Sequence, residues 1–313
     1  MSKTLVIILS ETRAHELTFD SFKTNVIDVL CADLCLCIGV KSNYDYDNPF
    51  YKLAKFRFLH NEDDDPDFVK SVEYSYSETQ KCEYEYFNGD FVKRKHYSEF
   101  LNLKSHIGSE GDNKCPVKNL NFLTSTYIHV FFLWFLQKNA RENDLLQKYD
   151  RFVILRSDYV YQLPFPKMRI LDDNYVWIPD SEDYGGICDR SVVLSAKHFE
   201  CYVDILSSFY VKSNRYYEII EREKEWNMEK ILKMHLEENQ LFAMVRRFPY
   251  ISYAVRNVNG STRWSEGSFS KELGYYIKYI TEYDKSLKYK HMFQNSIYES
   301  IDDFYDYAIS RIN

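Results

Sequence analysis

Tyr149-Asp-Arg-Phe-Val-Ile-Leu-Arg-Ser-Asp-Tyr-Val-Tyr161 is the stretch whose reading decides the fold. Phe152 to Leu155 is a short apolar run with β-branched residues at its centre, bounded by charge on both sides. That pattern is a buried strand ending where Arg156, Ser157 and Asp158 begin. In open α/β sheets ligands bind at the carboxyl ends of such strands, so Asp158 is the first candidate for a functional residue. Working outward, Trp177-Ile-Pro-Asp-Ser-Glu-Asp-Tyr-Gly-Gly-Ile-Cys-Asp-Arg-Ser-Val-Val-Leu-Ser195 repeats the theme, with polar residues gathered between two apolar runs.

The same logic applies at the start of the chain. Leu5 to Leu9 is a continuous apolar run, the signature of a strand covered on both faces of a parallel sheet, and Ser10-Glu-Thr-Arg-Ala-His15 follows it directly. Phe22, Val26, Ile27 and Leu30 fall at helical spacing, and Ala32 to Val40 is a second apolar run, which together give strand, helix, strand. Ser10, Thr12 and Arg13 therefore sit in a loop at a strand's carboxyl end, and an arginine there suits bidentate pairing with phosphate.

Residues 41–118 read as irregular. The acidic run with Asp63, Asp64 and Asp65 is a solvated loop rather than a metal site, because adjacent acids converge poorly on one ion. Val72 to Tyr76 and Glu83 to Tyr86 alternate as edge or hairpin strands, with Asn88-Gly89 as a turn. Residues 124–149 read as one crossover helix with an apolar first half in which His129 is a core histidine. Helical patterns follow at 196–210, 215–237 and 271–312, with a strand near Pro249. Asn259-Gly260 is a turn signal.

Composition narrows the class. With 45% hydrophobic and 28% charged residues over 313 positions the chain is globular and long enough for a large core. The net charge of -7 excludes a general nucleic-acid backbone binder, whose footprint is a basic stripe. Twenty-eight Tyr and 22 Phe bring aromatic content to 17%, which suits stacking on sugars or bases and equally suits ordinary packing. Seven cysteines, with no CxxC pair, point to a reducing compartment. The start of the chain reads without a signal-peptide core, and the longest apolar run, Tyr127 to Leu136, is about half a membrane span, so a cytoplasmic protein without a transmembrane segment is expected. Walker A, dinucleotide-binding, HExxH and GxSxG patterns are absent. What remains is a site centred on carboxylates.

On these residues the chain resembles the GT-A type glycosyltransferases, in particular bacterial and viral polysaccharide-building members with Arg-x-Asp in place of Asp-x-Asp. The matching pieces are the first strand with its Ser10 to Arg13 loop, Ala32-Asp33-Leu34, Arg156-Ser157-Asp158-Tyr159, Tyr184 to Arg190 before Val192 to Ser195, and Glu229 to Leu236 before a strand. The resemblance implies an α/β, Rossmann-like mixed and mostly parallel sheet flanked by helices, with a helical C-terminal portion. Residues 1–255 would form the nucleotide-sugar transferase domain, with the irregular insertion at about 41–118, and residues 256–313 a helical extension packed on the same domain. A nucleotide-sugar donor and a glycan acceptor would be its partners. Ser10, Thr12, Arg13, Arg156, Ser157, Asp158 and Tyr159 would face the donor, and Asp158 would hold Mn²⁺ or Mg²⁺ with water and diphosphate oxygens. The departure is Arg156, which stands where the family has its first acid.

On the acceptor side, sugar transfer with inversion needs a carboxylate within hydrogen-bond reach of the attacking hydroxyl. Asp189 is the first choice as base, with Glu182 and Asp183 as alternatives. Tyr184, Gly185, Gly186, Arg190 and Trp177 complete the expected acceptor site. His198 and His235 are candidate late metal ligands by the same resemblance. Two other readings fit the sequence: a sugar-phosphate nucleotidyltransferase, which usually wants a glycine-rich loop that Ser10 to His15 lacks, and a non-catalytic carbohydrate-binding protein.

Overall fold

In the computed structural model, residues 2–61, 125–206, 208, 215, 219, 227–258 and 267–313 are described. The readings at Asp63 to Asp65, Val72 to Tyr76, Glu83 to Tyr86, Asn88-Gly89 and Asn259-Gly260 lie outside them.

The apolar runs become adjacent strands. β1 (Thr4–Ser10), β2 (Asp33–Val40), β3 (Phe56–Asn61), β4 (Arg151–Leu155), β6 (Val176–Pro179), β7 (Val192–Ser195) and β8 (Val245–Phe248) form one seven-stranded sheet in the order β3-β2-β1-β4-β7-β6-β8. Pairing is parallel from β3 through β2 and β1 to β4, antiparallel around β7, and parallel again between β6 and β8. The sheet is thus mixed and mostly parallel, as expected. Central β1 and β4 are buried along nearly their whole length, which explains their unbroken apolar sequence. Burying each such aliphatic side chain contributes about 1.5–3 kcal/mol.

Helices cover the sheet. α1 (His15–Phe22) runs through a π-helical turn (Lys23–Ile27) into α2 (Asp28–Leu30), and Cys31 in the left-handed region lets the chain turn into β2. A short α3 (Pro49–Leu53), capped by Asn48, precedes β3. The part of the irregular segment from 41 to 61 therefore contains a helix and the edge strand of the main sheet. The single helix expected over 124–149 is two, α4 (Ser125–Glu142) and α5 (Leu145–Lys148), divided where Asp144 takes a positive φ. α4 lies against β1 and β2, and α6 (Ala196–Val203) against β7 and β4. None of the described helices is long and apolar enough to cross a membrane.

A second sheet positions the site. β5 (Tyr159–Tyr161) starts immediately after Asp158 and pairs antiparallel with β9 (Ser252–Arg256), which pairs with β11 (Tyr275–Ile277), and β11 with β10 (Ser268–Ser270). The domain boundary expected at 255 falls inside β9, and the segment beyond it holds two strands as well as α8 (Ile280–Gln294) and α9 (Ile301–Ile312). α8 packs on β9 and α9 on β8, so the C-terminal portion is helical and joined to the main body.

Candidate functional site

Two loops meet at the carboxyl ends of β1 and β4. Ser10 and Ala14 adopt positive φ, which lets the β1 loop fold back over the end of β4. Ser157 stitches the two together: its Oγ accepts from Arg13 N at 3.0 Å and donates to Glu11 O at 2.8 Å. Thr12 Oγ1 is shared with Tyr44 OH at 2.8 Å. Ser157 and Thr12 thus fix the loop, while the Arg13 side chain stays half-buried at the rim, paired with Glu11 at 2.9 Å.

Asp158 is 2% exposed and ringed by cations. Arg256 Nη1 donates to its Oδ2 at 2.5 Å, Arg13 Nε is 3.8 Å from the same oxygen, and Arg156 Nε is 3.7 Å from Oδ1. The second sheet explains why Arg256 is there: Val255 N donates to Asp158 O at 2.9 Å, which aligns the last residue of β9 with the first acid after β4. Burial alone would push the Asp158 carboxyl up. Arg156, Arg256, Arg13 and Lys278 overcome this and hold it well below the usual carboxylate range. Lys278 shows the other side of the crowding. Burial, Arg256, Arg156 and Arg13 push its ammonium down to about 7, with only Asp158 opposing. Arg256 is 3% exposed, and its Nε and Nη2 have no hydrogen-bond partner among the described residues. Three arginines therefore contact two carboxylates, Asp158 and Glu11, and Lys278 lies close enough to feel their charges.

This donor set does not suit a divalent cation. A metal at Asp158 would meet a single carboxylate whose charge is already shared among four cations. Among the described residues no group of three or more His, Cys, Asp or Glu side chains is gathered closely enough to hold a metal ion. His198 bonds Asn174 O through Nε2, and His235 is buried with its Nε2 on Cys201 O and its Nδ1 beside Asn239.

A second cluster adjoins the first with the opposite balance. Arg190 is buried among Asp189 at 2.6 Å, Glu229 at 2.7 Å and Glu282 at 3.1 Å, with the rings of Tyr184 and Tyr279 at 5.2 and 5.4 Å from its guanidinium carbon. Glu282, from the first turn of α8, also accepts from Tyr159 OH at 3.1 Å and Ala254 N at 3.0 Å. Burial pushes the Glu282 and Glu229 carboxyls up. At Asp189 burial pulls the same way but is outweighed, chiefly by the Arg190 and Arg156 guanidiniums, which hold that carboxylate ionised. His129 is drawn into this electrostatic network, and burial pushes its imidazole down to about 4. It borders both clusters rather than lying in a plain apolar core.

The remaining expected residues divide by what they touch. Asp183 is bound bidentately by Arg247, at 2.8 and 3.0 Å, and accepts from Cys188 N, so it shapes the loop. Glu182 accepts from Tyr184 OH and Ser181 at the exposed rim. Gly186 serves packing against the protein itself: a Cβ there would lie 2.0 Å from the Glu229 carbonyl carbon, at the start of α7 (Met228–Glu238). Trp177, expected at the acceptor, is corrected to a core residue of β6, its indole N–H donating to Asp172 O at 2.8 Å. Tyr159 is likewise buried, with its hydroxyl committed to Glu282. Arg256, Lys278, Tyr279, Glu229 and Glu282 were not expected. The rule that found Asp158, a charge ending an apolar run, applies equally to Arg256 after Tyr253-Ala-Val255 and to Lys278 after Tyr275-Tyr-Ile277.

No protein-family model matches the chain, and no curated protein matches its sequence. Among solved structures, the apo form of mouse xyloside xylosyltransferase 1 is similar over 79% of this chain and 85% of that one, with 8% identity and a TM-score of 0.36. A likeness at that score says nothing of activity.

Proposed function

We propose that this chain is a glycosyltransferase, moving a sugar from a nucleoside-diphosphate donor to a hydroxyl of a carbohydrate acceptor. The observation that carries the reading is the juxtaposition of a cation-rich cluster around Asp158 with a carboxylate-rich cluster around Arg190, at the carboxyl ends of parallel strands. Breaking the bond between the sugar and its diphosphate builds negative charge on the departing oxygen. Fixed cations in a water-poor site stabilise that charge most where it develops. Arg13, Arg156, Arg256 and Lys278 are the groups suited to this role. As the acceptor oxygen bonds to the sugar carbon, its proton must leave. Asp189, held ionised by Arg190 and Arg156, is the carboxylate suited to receive it. Tyr184, exposed beside Arg190, offers a ring face for the acceptor sugar.

The test is release of nucleoside diphosphate from a panel of nucleotide sugars, with mono- and oligosaccharide acceptors. Acceptor-dependent release that disappears in Asp189→Asn is expected. Sugar binding that survives Asp158→Asn and Asp189→Asn together, with no release from any donor, would point instead to a carbohydrate-binding protein.

A further inference from the structure

The cluster around Asp158 carries more than its charge. A carboxylate meant for a metal keeps its oxygens toward open space and is joined by other oxygen ligands, because a hard cation is held by several of them. Here one Asp158 oxygen is occupied by Arg256, and arginines approach from both the β1 loop and the β4 end. The nearby acids are committed elsewhere: Glu229 and Glu282 pair with Arg190, and Asp183 pairs with Arg247. What is left without partners is cationic. Among the described residues the buried Arg256 Nε and Nη2 have no acceptor, although a buried N–H without one is costly. Three arginines against Asp158 and Glu11 leave one positive charge in excess, Lys278, with its ammonium pushed down to about 7, can add a second, and the two bridging phosphates of a sugar nucleotide carry about one negative charge each.

We infer that Arg13, Arg156, Arg256 and Lys278 bind the diphosphate of a nucleoside diphosphate in place of a divalent cation, with Asp158 as the counterion that keeps the arginines aligned. This rests on the donor-site reading above and adds that metal is dispensable. It also assigns half of the phosphate site to the C-terminal segment, through Arg256 and Lys278. The guanidinium groups present planar paired donors to phosphate oxygens, and Lys278 adds a mobile point charge. When the sugar's bond to the diphosphate breaks, the electron pair goes to the phosphate oxygen, and these four groups meet the new charge with no metal in the step.

Calorimetric binding of UDP, GDP, CDP and dTDP to the full chain, in EDTA and again with Mn²⁺, tests this. At least one nucleotide is expected to bind with the same affinity in both conditions. Lys278→Met and Arg13→Ala, neither in the packed core, should each weaken it about tenfold, as loss of a charged hydrogen bond does, with no rescue by Mn²⁺. Cooperative melting of the free variants at temperatures no lower than that of the wild type would show that the fold is intact. Binding that needs Mn²⁺ overturns the inference and leaves the donor-site reading standing. Wild-type affinity in both variants also overturns it. If no nucleotide binds in either condition, the donor-site reading and the inference fall together.

Discussion

The two charge clusters are near mirror images in composition and opposites in completeness. Around Asp158, cations outnumber carboxylates, and Arg256 Nε and Nη2 have no partner among the described residues. Around Arg190, three carboxylates surround one cation, and Glu282 is bonded by Tyr159, Ala254 N and Arg190. The first cluster is short of an anion, which is the condition of a binding site. The second is largely satisfied within the protein and leaves Asp189 ionised at the border between them. Each cluster keeps a buried guanidinium donor without a hydrogen bond among the described residues, Arg256 Nε and Nη2 in the first and Arg190 Nε in the second, so it is the sign of the surplus charge that distinguishes the two.

The comparison breaks most visibly under removal of the central cation of each cluster. Arg190→Met leaves three buried carboxylates without their counter-charge, and a loss of about 3–5 kcal/mol in denaturant unfolding is expected, as for other broken buried pairs. Arg256→Met should destabilise less, because Arg13 and Arg156 still face Asp158. Equal losses in the two variants would refute the claim that only the second cluster is a finished scaffold.

Gly186→Ala probes how the acceptor loop is held. Its Cβ would meet the backbone of Glu229, so α7 must shift, at a cost of about 1–3 kcal/mol for overpacking. Because Glu229 moves with it, the variant should disturb the Arg190 cluster and leave nucleotide binding at the Asp158 cluster unchanged. A lower nucleotide affinity in this variant would mean that the two clusters are not separable.

A separate effect concerns pH. Lys278 is held near 7 when the phosphate site is empty, by burial and by Arg256, Arg156 and Arg13 against Asp158. An unfolded lysine titrates near 10.4. Below about pH 7 Lys278 is charged in both folded and unfolded chains, and its burial as a cation costs stability. That cost fades as pH rises from about 7 toward 10, since the unfolded chain then binds the extra proton. The melting temperature of the free protein should therefore gain a rising component over this window that is missing from Lys278→Met, while nucleotide affinity falls over the same window as Lys278 loses its charge. Parallel melting curves for the two proteins would remove Lys278 from the cluster.

Which parts of this were legible in the sequence follows from how each part is encoded. β1 and β4 are covered on both faces, so they appear as continuous apolar runs, and Arg13, Arg156 and Asp158 could be found as the polar residues that end them. The clustering of Tyr184 to Arg190 was visible, but the division of labour within it was not. Asp183, Glu182 and Asp189 are all acids in one loop, and only their partners, Arg247, Tyr184 and Arg190, tell them apart. Arg256, Lys278 and Glu282 stayed hidden because they reach the site through pairing among β5, β9 and β11. Two of those strands have three residues, too few to show a period. Trp177, open in sequence to either a packing or an acceptor role, lies in the core, because an aromatic next to a polar loop looks the same in sequence whether it faces the loop or the core.

Binding and proton transfer are divided between the two clusters in the proposed reaction, and one crossed measurement tests that division most directly. Nucleotide Kd and transfer kcat are to be determined side by side for the wild type, Lys278→Met and Asp189→Asn. Lys278→Met should weaken nucleotide binding, while Asp189→Asn should bind nucleotide as the wild type does and lose about 10²–10⁴ in kcat, the usual contribution of a general base. Full turnover in Asp189→Asn, or undiminished nucleotide affinity in Lys278→Met, would contradict it.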